Sequence, residues 1–219
     1  MEKESDYQLT SRQKSIALVL IILYVVGTLG FIFNIYPQFE RLTPINLSIS
    51  LILTLFCHPK WDWKIILFCL LCPIIGFIVE MKGVETGLIF GKYQYDYALG
   101  YKYRDTPLSI GINWLLISYC SGVLVSFATD EHRHWAIKAL IAAALMVSLD
   151  ILIEPIAMKT GMWHWENDAV PFQNYVGWFI TAFFIQSLFF ILNKTVKNKV
   201  AVILLVLQFL FFWILSFKY

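Results

Sequence analysis

Two carboxylates four residues apart, Asp150 and Glu154, lie in an otherwise apolar run, SLDILIEPIAMK. Four residues is a little over one helical turn, so both acids share one helix face. An ionisable group at the centre of a membrane helix costs about 2.5–3.5 kcal/mol on insertion scales, and two in one apolar span are rarely accidental. Pro155 follows at once. Its ring is expected to remove the bond to the Ile151 carbonyl and to kink the helix, leaving an opened carbonyl beside two acids. The chemistry this suits is proton donation from a polar cavity. The structural alternative is a pair that only bonds to neighbouring helices or lies near the interface. Glu80, at the end of another apolar run, is a third acid.

Aromatic residues crowd two loops. The interval 81–106 carries Tyr93, Tyr95, Tyr97, Tyr101 and Tyr103, and a later loop places Trp163, His164 and Trp165 together. Tyr and Trp belt membrane interfaces in general, which accounts for about half of them but not for their concentration in two loops. His164 is a general acid or base by type, yet His58, His132 and His134 fall on the opposite side, so a histidine metal site is not expected. A carboxylate-rich metal site from Glu80, Glu85, Asp96, Asp150 and Glu154 stays open as an alternative, with no Glu-x-x-His pair of the di-metal bundle kind to support it. Neither a glycine-rich nucleotide loop nor a His-Glu-x-x-His motif is present, and nothing points to NAD, FAD or ATP.

The elements that must position these groups follow from composition. The chain has 219 residues, 59% hydrophobic and only 15% charged, with mean hydropathy +0.68. Soluble domains average about 45–50% apolar and about 25% charged. The balance excludes a disordered chain, a disulfide-rich secreted module and a typical nucleic-acid binder, and a formal charge of +2 argues for no polyanionic partner. The four cysteines (Cys57, Cys69, Cys72, Cys120) sit in or at apolar stretches and read as buried small hydrophobes.

The fold class expected is all-α, a polytopic bundle of about seven spans. They run over 14–34, 42–57, 64–80, 107–128, 134–158, 171–192 and 199–217, behind a short polar tail at 1–13. The second and third are short, so six is the alternative count. Pro44, Pro107 and Pro171 are placed where helices begin. The first span is too long, and lacks the small-residue cleavage site, for a signal peptide. The polar interval 81–106 is too long for a structureless loop in a compact domain and marks a functional segment, holding either a short interfacial helix or a hairpin. Lys and Arg are more numerous on the side of the N-terminus, which places that terminus in the cytoplasm. With seven spans, Glu80, the 81–106 loop, Asp150, Glu154, the 159–170 loop and the start of the sixth span share the other side.

Taken in order, GLIFGKYQY (87–95), PLSIGINW (107–114), D-x-x-x-E-P (150–155), W-x-W (163–165) and VPFQNYVGWF (170–179) resemble the carotenoid biosynthesis membrane proteins that include the CruF-type carotenoid 1,2-hydratases. The resemblance covers about residues 75–185; the order of the blocks is specific, while each alone is weak. One departure is that Glu154 precedes Pro155 where the family commonly has Asp-Pro. The resemblance implies an integral protein of the bacterial inner membrane that adds water to the terminal double bond of a linear, lycopene-like carotenoid without a cofactor. Its partners would be a lipid-dissolved carotenoid, membrane lipid and other carotenoid enzymes, with no nucleic acid.

The residues are compatible with that chemistry. Hydrating a trisubstituted alkene starts with protonation at the less substituted carbon. Burial among apolar side chains favours the neutral form of a carboxyl, so Asp150 or Glu154 is the expected acid and Glu80 the third candidate. A second carboxyl nearby would orient the water. Trp163, Trp165 and Trp178 would face the cation at about 0.5–2 kcal/mol each, and Asn113 and Asn174 would hold the water. Tyr93, Tyr95 and His164 complete the expected substrate site. Core packing explains Trp178, and a cap or interhelical bond explains Asn174, at least as well. The rivals are an end-group cyclase using the same protonation, a proton-coupled transporter, for which no inverted repeat is visible, and a non-catalytic membrane scaffold.

Overall fold

The computed structural model describes residues 8–35, 38–193 and 195–219. Most of the expected polar tail, with Lys3, and Lys194 from the charge comparison lie outside the described residues.

Among the described residues there are seven α-helices: α1 Ser11–Phe33, α2 Thr43–Phe56, α3 Trp63–Thr86, α4 Ser109–Ala128, α5 Trp135–Lys159, α6 Phe172–Leu192 and α7 Lys199–Leu215. Six are long and apolar enough to cross a membrane when α2 is counted with the 3-10 turn Phe39–Leu42 before it; α7, at 17 residues, is shorter. The all-α polytopic bundle expected from composition is the architecture found, and the chain is an integral membrane protein. Contacts across the chain define two sides. Lys199 Nζ donates to the Gln8 carbonyl at one, and Lys218 Nζ to the Phe31 carbonyl at the other.

Local signals set the helix ends. Thr10 and Gln13 close a reciprocal capping box on α1, Asp62 caps α3 through the Lys64 and Ile65 amides, and Asn198 caps α7 through Val200. Pro44 lies in the first turn of α2 as expected. Pro107 and Pro171 do not open their helices. Pro107 belongs to a strand two residues ahead of α4, and Pro171 is the residue before α6. Nor does α3 stop at Glu80; it runs on to Thr86 and ends at Gly87, whose φ of 66° is the left-handed cap that glycine supplies. Pro155 lies inside α5, which continues to Lys159.

The central helix is α4, packed by α2, α3, α5, α6 and α7. Its sequence, SIGINWLLISYCSGVLVSFA, carries Gly111, Ser118, Ser121, Gly122 and Ser126, all buried, and small residues let helices approach closely in lipid. An added Cβ at Gly111 would sit 2.9 Å from the Pro73 carbonyl oxygen of α3. The outer helices turn Leu18, Ile22, Val26, Ile52 and Leu70 outward, as a lipid-facing surface requires.

Of the two alternatives for the interval 81–106, a short helix or a hairpin, the structure has the hairpin, together with a further strand. It gives a last turn of α3, then strand β1 Tyr93–Tyr95 and a small hairpin of β2 Lys102–Tyr103 with β3 Thr106–Pro107. Strand β4, Trp163–Trp165, pairs antiparallel with β1: Tyr93 with Trp165, Gln94 with His164 and Tyr95 with Trp163. The two aromatic loops therefore form one ribbon.

Candidate active site

Side chains alternate across a strand, and the ribbon uses that alternation. Tyr93, Tyr95, Trp163 and Trp165 point inward; Gln94 and His164 point out. The inward rings meet in two cross-strand pairs: Tyr93 is tilted by 35° against Trp165, with centroids 4.8 Å apart, and Tyr95 meets Trp163 edge to face at 5.9 Å. Their polar tips divide between two acids. Tyr93 and Tyr95 donate to Glu80 Oε2 at 2.5 and 2.9 Å, and Trp163 and Trp165 donate to Glu154 Oε2 at 2.9 and 2.7 Å. Burial first, and the Glu80 carboxylate second, push both tyrosines well above the ordinary phenol value. They therefore keep their protons and act as donors.

The helices supply the rest. Glu80 on α3 also accepts from Trp114 Nε1 of α4 at 3.1 Å. Trp114 reaches it because Gly76 leaves the space; a Cβ there would lie 2.4 Å from the indole. Trp114 in turn stacks on Trp178 of α6, with ring centroids 4.3 Å apart and planes at 19°. Asn174, in the first turn of α6, donates through Nδ2 to Asp150 Oδ2 at 3.1 Å and to Glu154 Oε1 at 2.9 Å. All three acids are at most 2% exposed, where ion pairs or hydrogen bonds must replace water.

Donors are unevenly shared. Among the described residues, Glu80 accepts three hydrogen bonds from side chains and Glu154 accepts three, whereas Asp150 accepts one. A neutral carboxyl needs fewer donors than a carboxylate, so a proton in this cluster is least costly to hold on Asp150.

A cavity of about 30 Å³ lies among Glu80, Asp150, Glu154, Asn113, Asn174 and the inward rings, Trp178 included. That is about the share of one water molecule in the liquid. It adjoins two larger spaces. An apolar groove of about 250 Å³ runs between α1 and α2 and shares Ile110, Asn113, Ile153 and Trp163 with the cavity. On the outer face of the ribbon a polar basin of about 700 Å³ shares Tyr93 and Tyr95 with it. Asn113 stands where cavity and groove meet, and its amide makes no hydrogen bond to another described residue.

The structure brings ten of the eleven residues singled out in the sequence to this cavity: Asp150, Glu154, Glu80, Trp163, Trp165, Asn174, Trp178, Tyr93, Tyr95 and Asn113. His164 is placed elsewhere. It lies on the basin side, with Nδ1 3.0 Å from Asp96 Oδ1. Glu85, weighed as part of an acidic set, pairs with Lys82 and Arg104 on that outer side. Sequence reasoning missed Trp114. The available signal was that a tryptophan in the middle of a span needs a partner for its N–H.

Fold and site together define a polytopic membrane protein with a water-sized acidic cavity at the end of a lipid-compatible groove. Residues 39–218 match the family of carotenoid biosynthesis proteins, and the chain belongs to that family. It is similar to the bisanhydrobacterioruberin hydratase of Haloarcula japonica, 23% identical over 150 residues, which cover 66% of this chain and 50% of that protein. The chain thus spans about half the length of the curated relative it matches. No solved structure is a significant match.

Proposed function

We propose that the chain is a cofactor-independent hydro-lyase that adds water across the terminal double bond of a linear, lycopene-like carotenoid. The observation that carries this is the continuity of the apolar groove with the acidic, water-sized cavity through Ile110, Asn113, Ile153 and Trp163. A long hydrocarbon lies in the groove and presents only its end to the acids.

Asp150 donates the proton. Its O–H bond breaks, a C–H bond forms at the less substituted alkene carbon, and the tertiary cation faces Trp163, Trp165 and Trp178 at about 0.5–2 kcal/mol each. Water held by Asn113 then attacks. The C–O bond forms, and the released proton goes to the Asp150–Glu154 pair bridged by Asn174, which returns to its starting state. Glu80, held by Tyr93, Tyr95 and Trp114, stabilises the positive charge across the cavity. The substrate comes from the bilayer of the bacterial inner membrane, with the N-terminus in the cytoplasm, and other carotenoid enzymes supply it.

The test is expression in a bacterium that makes lycopene, followed by chromatography and mass measurement of the pigments. Products heavier by the mass of one or two water molecules are expected. Asp150→Asn and Glu154→Gln should each insert normally and yield no product. Full turnover in both variants would sink the acid assignment. A product of unchanged mass but altered retention would make the chain a cyclase, and unchanged pigment would remove lycopene as substrate.

A further inference from the structure

Hydration consumes one water per turnover, and the acidic cavity, at about 30 Å³, has room for about one. It must therefore be refilled for every substrate. The groove is a poor supply. Leu23, Val26, Phe31, Phe211 and Phe212 are among the side chains that line it, and a hydrocarbon lying in it closes that side at the moment water is needed.

The basin on the outer face of the ribbon has the opposite character. Lys92, Gln94, Lys102, Asp105, His164 and Glu166 line it. Charged side chains are costly in lipid, so the basin opens to the aqueous phase. Between basin and cavity stand Tyr93 and Tyr95, which line both. Their rings meet edge to face, with centroids 5.4 Å apart. Both hydroxyls donate to Glu80 Oε2, and Tyr95 lies within hydrogen-bond reach of the Tyr93 oxygen. A phenol oxygen has two lone pairs, so each keeps at least one for a passing water without letting go of Glu80. Lys102 Nζ, on the basin side, donates to the Tyr95 carbonyl and holds the strand by its backbone.

On the hydratase reading, on which this rests, we propose that the reacting water enters from the basin between Tyr93 and Tyr95, and not along the groove. The two tyrosines on Glu80 are the port, and they pass water singly toward Asn113 and the acids. The two reactants thus reach the cavity by separate routes, the hydrocarbon from lipid and the water from the aqueous phase.

The experiment reads water entry apart from turnover. Gln94, between the two tyrosines, is exposed in the basin. The full-length Gln94→Cys protein in nanodiscs is labelled with a bulky methanethiosulfonate, which dithiothreitol removes; the wild type treated alike is the control. Trp163 and Trp165 line the cavity, and exchange of their indole N–H groups with deuterated water, followed by NMR, reports its arrival. The label should slow that exchange about tenfold, the factor that about 1.4 kcal/mol in the cost of opening gives, and dithiothreitol should restore it. A label that only loosened the ribbon would speed exchange. Gly27→Leu fills the groove instead, where a Cβ meets nothing nearer than 3.5 Å. Exchange there should stay within about twofold of the wild type. With lycopene, the labelled protein should form hydrated product about tenfold more slowly at unchanged KM. Exchange untouched by the label, or slowed by Gly27→Leu and not by the label, overturns the port while leaving the hydratase reading in place. Exchange that follows the label in a protein that leaves lycopene unchanged keeps the port and counts against lycopene as the substrate.

Discussion

At the scale of single residues, the site depends on which acid has the fewest donors. Among the described residues, Asn174 is the one side chain that hydrogen-bonds to both Asp150 and Glu154. Without it Asp150 keeps no side-chain donor and Glu154 keeps the two tryptophans. Asn174→Leu is therefore expected to cost about 1–3 kcal/mol of stability, the price of unpaired buried acceptors, and to abolish product in the lycopene assay. A variant that folds, is as stable as the wild type and retains full product would show that the bridge is incidental. Asp150 and Glu154 were legible from spacing alone, because two acids in an apolar span stand out against everything around them. Their distinct roles were not. Donor counts depend on Trp163, Trp165 and Asn174, which approach from other elements. Trp114 was hidden for a related reason: an indole in an apolar run gives no sign of where its N–H points.

At the scale of elements, helices carry the acids and a two-stranded ribbon covers them. The spans were readable from hydropathy to within a few residues, except where α3 continues past Glu80 to Thr86. The ribbon was not readable. Its strands, Tyr93–Tyr95 and Trp163–Trp165, are three residues each and stand on opposite sides of α4 and α5 in the sequence. A Y-Q-Y or W-H-W alternation is too short to announce a strand by period. What holds the ribbon's approach to the bundle is Gly177 of α6. A Cβ there would lie 2.5 Å from the Ile89 carbonyl oxygen and 2.8 Å from Phe90. Backbone cannot yield as a side-chain tip can. Gly177→Ala is thus expected to lift the 87–92 segment off α6 and to cost about 1–3 kcal/mol, as overpacking does. It should also shift the tryptophan emission of the ribbon to the red as Trp163 and Trp165 meet water. An unchanged melting temperature with unchanged emission would show that the segment adjusts without cost.

At the scale of the molecule, the acidic cavity and the contacts of His58 stand at opposite ends of the bundle. The acids, the ribbon and the basin stand toward the side of the α1–α2 and α5–α6 connections. Toward the other, His58 between α2 and α3 ties three elements together. Its Nε2 meets the Lys60 carbonyl at 3.0 Å, which can only accept, so Nε2 carries the proton. Nδ1 then accepts from the Tyr119 hydroxyl of α4 at 2.7 Å, and that oxygen accepts from Asn198 Nδ2, at the start of α7, at 3.0 Å. Every proton in the clasp is used, and a second proton on His58 would turn Tyr119 from donor to acceptor and take from its hydroxyl proton the partner it has in the clasp. Burial holds the His58 pKa below its ordinary value, outweighing the Lys60 carbonyl and Asp62, which act the other way. The native state therefore binds fewer protons than the unfolded chain, whose histidine titrates near about 6.5. The stability the clasp provides is complete above that value and is lost as pH falls through it toward the lower folded pKa. The melting temperature is expected to drop between about pH 7 and pH 5, and His58→Gln, whose amide can accept from Tyr119 and donate to Lys60, should flatten that drop. The acid cluster is common to both proteins, so the difference between them isolates the clasp. Parallel pH profiles would mean that His58 takes its proton without cost and that the three elements are held by packing alone.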